Sequence, residues 1–219
     1  MIKLILKLPQ NQPLKLAFSG GVDSLAMAHF LRRNKNVTLC HFNHGCEYSN
    51  LIEQQCRERA EQLNMPIVVG HIDGERQPKQ SLEDYWRRAR YRFLYDCNGE
   101  IVMTAHHLDD SLEGYCLSAF HGNPKLIQPE QTINYNNKSN KLLRPFLLTS
   151  KQDLINYAER HGLVPVDDPY NREDHLMRNY FRKNVIEHVK YINPGIDKVI
   201  RKKYIELQQR TNVIDKQLC

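Results

Sequence analysis

The sequence predicts an α/β fold: a parallel sheet with helices on both faces, followed by a small basic helical region toward the C-terminal end. Three observations predict it. Four short apolar runs of β-type composition alternate with segments of helical spacing, the pattern of parallel strands joined by crossover helices. The first of these runs feeds directly into a glycine-paired turn that opens a helix. Positive charge is concentrated after Leu176, where ten Lys and Arg face four acids and account for the whole net charge of +6.

Taken in order, the predicted strands are Leu14–Phe18, Val37–Cys40, Ile67–Gly70 and Ile101–Thr104, and the helices after them are Asp23–Asn34, Asn50–Asn64, Ser81–Asp96 and Asp109–His121. Ser81 and Asp84 form a start of capping-box type. Trp86 shares an apolar stripe with Leu82, Tyr85, Ala89 and Phe93 and is assigned to the core. Residues 124–141 are polar and asparagine-rich, the composition of an exposed loop or hairpin. Ser150 and Asp153 cap a further helix to about His161, and Asp167-Asp-Pro-Tyr-Asn171 then breaks the chain. Two basic helical segments follow, beginning near His175 and Pro194. The chain divides on this reading into an α/β domain, residues 1–145, which carries the glycine turn, and a basic helical region, residues 146–219.

At 219 residues, with 41% hydrophobic and 26% charged content, the composition excludes a disordered chain and allows one sizeable core plus an appendage. No apolar run approaches the roughly 18 to 20 residues of a membrane span, and Lys3 and Lys7 interrupt the apolar N-terminal stretch, so no signal peptide is expected and the location expected is cytoplasmic. The six cysteines form no Cys-x-x-Cys pair and read as reduced structural thiols, Cys46 among them. A basic tail beside a neutral domain points to a polyanionic partner, nucleic acid above all.

The turn Ser19-Gly20-Gly21-Val22-Asp23-Ser24 has the makings of a phosphate cradle. Gly20 and Gly21 can take positive φ and let a ligand approach the main chain, consecutive N–H groups and the positive helix end favour an anion, and Ser19 and Ser24 add hydroxyls. A carboxylate beside polyphosphate needs a divalent cation between them, which assigns Asp23 to magnesium. No Gly-Lys-Ser/Thr follows the glycines and the three-glycine dinucleotide spacing is absent, so the turn is neither a Walker A loop nor a dinucleotide fingerprint.

Three further clusters carry chemistry. His41-Phe-Asn-His44-Gly follows the second strand; a histidine pair without a third ligand is a weak metal signal, and contact with nucleotide or substrate is the preferred role. In Thr104-Ala-His106-His107-Leu-Asp109-Asp110-Ser-Leu-Glu113, Asp110 and Glu113 lie three residues apart on one helix face, suited to an ammonium group beside the phosphate site. Arg87, Arg88, Arg90 and Arg92 surround the third helix, where at least one is available to phosphate charge or a nucleic-acid backbone.

The glycine turn resembles the signature of the PP-loop ATP pyrophosphatases, a Rossmann-like class that cleaves ATP between the α and β phosphates. The blocks Ser19–Ser24, His41–Gly45, Trp86–Tyr91 and Thr104–Glu113, continuing through Arg144-Pro-Phe-Leu, Asp167–Asn171 and Arg178-Asn179 to Arg182, resemble the tRNA(Ile)-lysidine synthetase family. The resemblance implies adenylylation of the wobble cytidine of a CAU anticodon in tRNA(Ile), then displacement of AMP by the amine of free lysine. It implies ATP contacts at Ser19, Gly20, Gly21, Val22, Asp23, Ser24 and His44, Mg2+ on Asp23, and catalytic roles for Asp23, Asp110 and Glu113, the last two near the lysine ammonium. Arg90, His106, Arg144, Arg178 and Arg182 become substrate or tRNA contacts. The chain departs from the family at Gly114 and at Ala119–Pro124, and is expected to be a minimal form without further C-terminal domains. A homodimer is left open. Two other readings stand beside this one: a different PP-loop reaction such as tRNA thiolation, whose usual Cys-x-x-Cys pair is missing, and a nucleotide- or tRNA-binding protein without catalysis.

Overall fold

The computed structural model describes residues 1–34, 36–96, 101–136, 138–167, 169 and 180–217. Its strands are β1 (Leu14–Ala17), β2 (Val37–Asn43), β3 (Ile67–His71), β4 (Ile101–Met103), β5 (Glu130–Tyr135) and β6 (Lys138–Leu143). The helices are α1 (Val22–Leu31), α2 (Ser49–Gln62), α3 (Leu82–Asp96), α4 (Leu108–Phe120), α5 (Lys151–Arg160), α6 (Glu187–Ile192) and α7 (Ile196–Gln217), with a π-helical turn at Arg182–Ile186 leading into α6. All six strands join one sheet in the order β3-β2-β1-β4-β6-β5. Every pairing is parallel except the β5–β6 hairpin.

The two-residue alternation of β1 sorts the layers. Leu14 and Leu16 face a cluster made with Leu25 and Met27 of α1, Cys56 and Ala60 of α2 and Leu154 of α5. Lys15 points the other way, is only 2% exposed, and its ammonium donates to the Leu94 carbonyl at 2.9 Å. It supplies, near the C-terminal end of α3, the cation that the last turn of that helix lacks. On that second face Leu94 and Tyr95 of α3 pack against Cys40, Val102 and Leu142. Helices therefore cover both faces, as the sequence predicts.

A third apolar cluster joins α4 to the C-terminal helices: Leu108 and Leu112 meet Ile5, Leu147, Phe181, Ile186, Ile200 and Tyr204. The Tyr204 hydroxyl donates to the Ile127 carbonyl at 2.8 Å and meets the Ser111 hydroxyl at 2.6 Å. The N-terminal segment is laced to the turn after β6, since Thr149 Oγ1 both accepts from Lys3 N–H and donates to the Lys3 carbonyl, each at 2.8 Å. Among the described residues no helix is long and apolar enough to cross a membrane.

Several local expectations change. β2 runs on to Asn43, pairing with His71 of β3, so His41 lies inside a strand rather than in a loop. The asparagine-rich stretch forms the hairpin that was one of its two predicted alternatives, and β6 also extends the sheet beside β4. Trp86 is half-buried and rests on the His44 ring at 5.3 Å between centroids, outside the core. The start predicted near His175 lies outside the described residues, whereas α7 begins two residues after Pro194.

Gly70 shows how tightly α3 seats on the sheet, because a Cβ there would overlap the Phe93 ring. Gly70→Ala is expected to lower stability by about 1–3 kcal/mol in urea unfolding, and combining it with Phe93→Leu is expected to lose less than the two changes summed. An unchanged midpoint for Gly70→Ala would show that α3 is loosely seated.

Candidate active site

The glycine turn leaves β1 where the strand order reverses, between β2 and β4, which is the place open α/β sheets reserve for ligands. Its base is fixed on two sides: Phe18 N–H donates to the Cys40 carbonyl, and His41 Nδ1–H donates to the Phe18 carbonyl, both at 2.9 Å. His41 is thus a buried strut, and burial lowers its pKa against the opposing pull of that carbonyl. Gly20 adopts φ +78°, and a Cβ would come within 2.6 Å of Val166 Cγ2 and 2.8 Å of Cys56 Sγ, so no other residue fits. Val166 N–H also donates to the Gly20 carbonyl at 3.0 Å. Gly21, expected to share this freedom, is instead extended at φ −61°, ψ 162° as the N-cap of α1. No side chain caps that helix, which leaves its first amides facing the loop for an anion. Ser24 Oγ donates to the Gly21 carbonyl at 3.1 Å and stands 3.2 Å from Ser19 Oγ.

Around this loop the structure gathers four carboxylates. Asp23, in the first turn of α1, receives the Lys151 ammonium on both oxygens, at 2.7 and 2.8 Å. Asp109 accepts the Lys151 main-chain N–H at 2.7 Å on Oδ2 and the Lys190 ammonium at 2.7 Å on Oδ1. Asp110 closes the start of α4 by accepting the His107 main-chain N–H at 2.9 Å. Asp110 and Glu113 share the Arg182 guanidinium, whose Nε donates to Glu113 Oε2 at 2.8 Å and Nη2 to Asp110 Oδ1 at 3.2 Å. The position that sequence spacing suits to an ammonium group is filled here by a guanidinium of the chain itself. Glu113's side chain is 1% exposed, so this is a desolvated anion with a fixed counter-charge.

His107, the N-cap of α4, stands among these acids, with Nε2 3.4 Å from Asp110 Oδ2 and 3.7 Å from Asp23 Oδ1, and Nδ1 3.6 Å from Asp109 Oδ2. Burial alone would lower its pKa, but Asp109, Asp110 and Asp23 outweigh it and raise it above the ordinary value. The same contest runs the other way in the acids. Burial would raise Asp109, yet His107, Lys190 and the Lys151 amide hold its carboxyl well below the usual range, and the charges of His107 and His106 with the His107 amide do likewise for Asp110.

A second group lies at the end of β2. The His44 ring packs between Phe42 and Trp86, with centroids 5.1 and 5.3 Å away, and burial with the nearby Arg90 charge lowers its pKa to about 4, leaving a neutral imidazole. Arg90 and Arg87 flank the Tyr91 ring at 5.8 and 5.4 Å, whereas Arg88 and Arg92 are engaged with Asp84 and Asp73. His106 is half-buried, with Nδ1 2.7 Å from Thr104 Oγ1. Arg144 points inward, donating to the Gln128 carbonyl at 2.7 Å and Gln131 Oε1 at 3.2 Å, and serves as a strut under the hairpin. Arg178 lies outside the described residues. On α7, Lys198 and Lys202 are exposed, while Arg201 donates to the Leu148 carbonyl at 3.2 Å and Lys203 covers the Tyr115 ring at 5.3 Å.

Asp23, Asp110, Glu113 and Arg182 thus meet beside the loop, and Lys151, His107, Asp109 and Lys190, absent from the sequence assignment, complete the group. Asp23 is 31% exposed and offers the hard oxygen that Mg2+ takes, commonly one or two carboxylates plus substrate phosphates. Among the described residues no three His, Cys, Asp or Glu converge to hold a metal on protein ligands alone, so Asp23 fits Mg2+ in that phosphate-assisted manner only.

The raised pKa of His107 gives a pH signature. A histidine whose folded pKa stands above the unfolded one, about 6.5, contributes stability that is complete below that value and is lost as pH rises through the folded one. The difference in unfolding free energy between wild type and His107→Gln, measured in urea with a chelator present, is expected to shrink from pH 6 upward. A flat difference would show that His107 is neutral.

The PP-loop domain family model matches residues 1–189. The tRNA(Ile)-lysidine synthase of Nitrosomonas europaea is 28% identical over 218 residues, covering 92% of this chain and 46% of that protein. That of Persephonella marina is 29% identical over 196 residues, covering 83% and 42%. The chain spans a little under half the length of these relatives. Among solved structures, the U34-tRNA thiolase NcsA of Methanococcus maripaludis superposes with a TM-score of 0.69 at 16% identity, over 92% of this chain and 74% of the other, and shares the fold. With a family model spanning most of its length and a glycine loop at the switch point of its sheet, the chain belongs to the PP-loop domain family.

Proposed function

We propose that this chain ligates lysine to the wobble cytidine of a CAU-anticodon tRNA(Ile) at the expense of ATP, through an adenylylated tRNA. The observation that carries the reading is the meeting of an uncapped, glycine-turned helix start with the cation-holding pair Asp110 and Glu113, side by side at the ends of β1 and β4. The tRNA(Ile)-lysidine synthases among its relatives support the substrate.

The geometry supports the following division of labour. The open amides of α1 and the Ser19 and Ser24 hydroxyls bind phosphate oxygens, and the neutral His44 with Trp86 offers an aromatic surface to a nucleobase. Asp23 would hold Mg2+, which would supply charge neutralisation for the polyphosphate and its leaving group. In the first step the cytidine 2-carbonyl oxygen bonds to the α phosphorus and the bond from that phosphorus to the α,β-bridging oxygen breaks, releasing pyrophosphate. In the second, the lysine ammonium loses a proton to solvent, the neutral amine bonds to C2, and the C2–O bond breaks, releasing AMP and a second proton. Asp110 and Glu113 hold the amine-bearing substrate through its positive charge, in the position that the Arg182 guanidinium fills, and Arg182 moves to a phosphate of the tRNA. Exposed Lys198 and Lys202 on α7 extend the contact to the RNA backbone.

The test is the mass of a CAU-anticodon tRNA(Ile) transcript after incubation with the protein, ATP, Mg2+ and lysine, digested to locate any adduct. A lysine-sized gain at the wobble cytidine is expected with wild type and is expected to vanish with Asp23→Asn. Absence of a gain with wild type would overturn the reading, and a sulfur-sized gain would replace it with thiolation.

A further inference from the structure

We propose that Lys151 is a further substrate-positioning residue, whose ammonium passes from the Asp23 carboxylate to the β and γ phosphates of the nucleotide once a divalent cation takes Asp23. The inference rests on the ATP reading above and deepens it. Lys151 Nζ bonds both Asp23 oxygens, at 2.7 and 2.8 Å, and Asp23 sits in the first turn of the helix whose amides face the loop. Side-chain exposures of 38% and 31% leave the pair open to solvent, and half-exposed ion pairs of this kind add little to stability. The pair is therefore poorly explained as a brace for the fold.

The anchoring of Lys151 suits a grip that must re-aim. Asp109 holds its main-chain N–H at 2.7 Å, which fixes the root of the side chain, while the ammonium rides on a flexible four-carbon stem. The other two described cations of the cluster are committed: Lys190 is bound to Asp109, and Arg182 bridges Asp110 and Glu113. Of the three, Lys151 alone is paired to an acid of the loop itself. A polyphosphate entering the loop meets the Asp23 charge, and a divalent ion placed between them removes the partner of Lys151 at the moment a stronger anion arrives within reach. Asp23 and Lys151 each exchange one counter-charge for another, so both stay paired in the two states.

The experiment measures binding, with no turnover required. Calorimetric titration of the full chain with AMP and with the uncleavable α,β-methylene analogue of ATP, in Mg2+, compares wild type with Lys151→Met, Lys151→Gln and Lys151→Arg. Loss of one charge-assisted contact to phosphate is expected to weaken the triphosphate analogue by about tenfold or more in the Met and Gln variants, to leave AMP unchanged because it has no β or γ phosphate, and to be largely restored by Arg. Equal affinity of wild type and Lys151→Met for the analogue, or an equal loss for analogue and AMP, overturns the inference while leaving the ATP reading intact. Wild-type protein that binds neither nucleotide overturns both.

Discussion

One carboxylate fastens the site together. Asp109 takes the first amide of α5 on one oxygen and the Lys190 ammonium of α6 on the other, from its place in the first turn of α4 beside His107. Three helices far apart in sequence are thereby set at fixed distances from the glycine loop. Hydrogen bonds to a charged, largely desolvated acceptor contribute about 1.5–3 kcal/mol each, so the two bonds to Asp109 bind the C-terminal helices to the glycine-loop end of the sheet more firmly than surface pairs could. The remaining contacts follow from that placement: Lys151 reaches Asp23, and the segment carrying Arg182 is brought across Asp110 and Glu113.

The electrostatic consequence is a site that is acidic by composition yet nearly neutral by pairing. Asp23, Asp109, Asp110 and Glu113 face Lys151, Lys190, Arg182 and a His107 whose pKa is raised by the same acids. Such an arrangement is poised for ligands that bring charges of both signs. On the proposed function, a magnesium polyphosphate and a substrate ammonium enter by exchanging partners with these pairs.

Much of this was legible in the sequence, and the parts that were not share a cause. β1, β2, β3 and β4 are legible as short apolar runs, each followed by a segment of helical spacing, and the Ser19–Ser24 turn because its chemistry is contiguous. The hairpin of β5 and β6 was open to two readings, loop or hairpin, because its polar, asparagine-rich composition carries no apolar run and its pairing is satisfied through the main chain. Gly21 looked interchangeable with Gly20, but only Gly20 faces Val166 and Cys56, residues too distant in sequence to be weighed. Trp86 fitted a helical apolar stripe, yet the neighbour that decides its role, His44, comes from another strand. Asp110 and Glu113 were found because three residues separate them on one helix. Lys151 gave no such local sign, and Arg182 entered only through the family resemblance and as an RNA contact, since their partners Asp23 and Glu113 lie 128 and 69 residues away.

On the proposed function, this loop and these carboxylates cleave ATP between the α and β phosphates with an RNA oxygen as acceptor. Incubating the protein with ATP labelled at the α phosphate, Mg2+ and a CAU-anticodon tRNA(Ile), with lysine withheld, tests it most directly. The account predicts label carried on the RNA, released as AMP when lysine is added. Label recovered as ADP, or as AMP that never travels with the RNA, would contradict it.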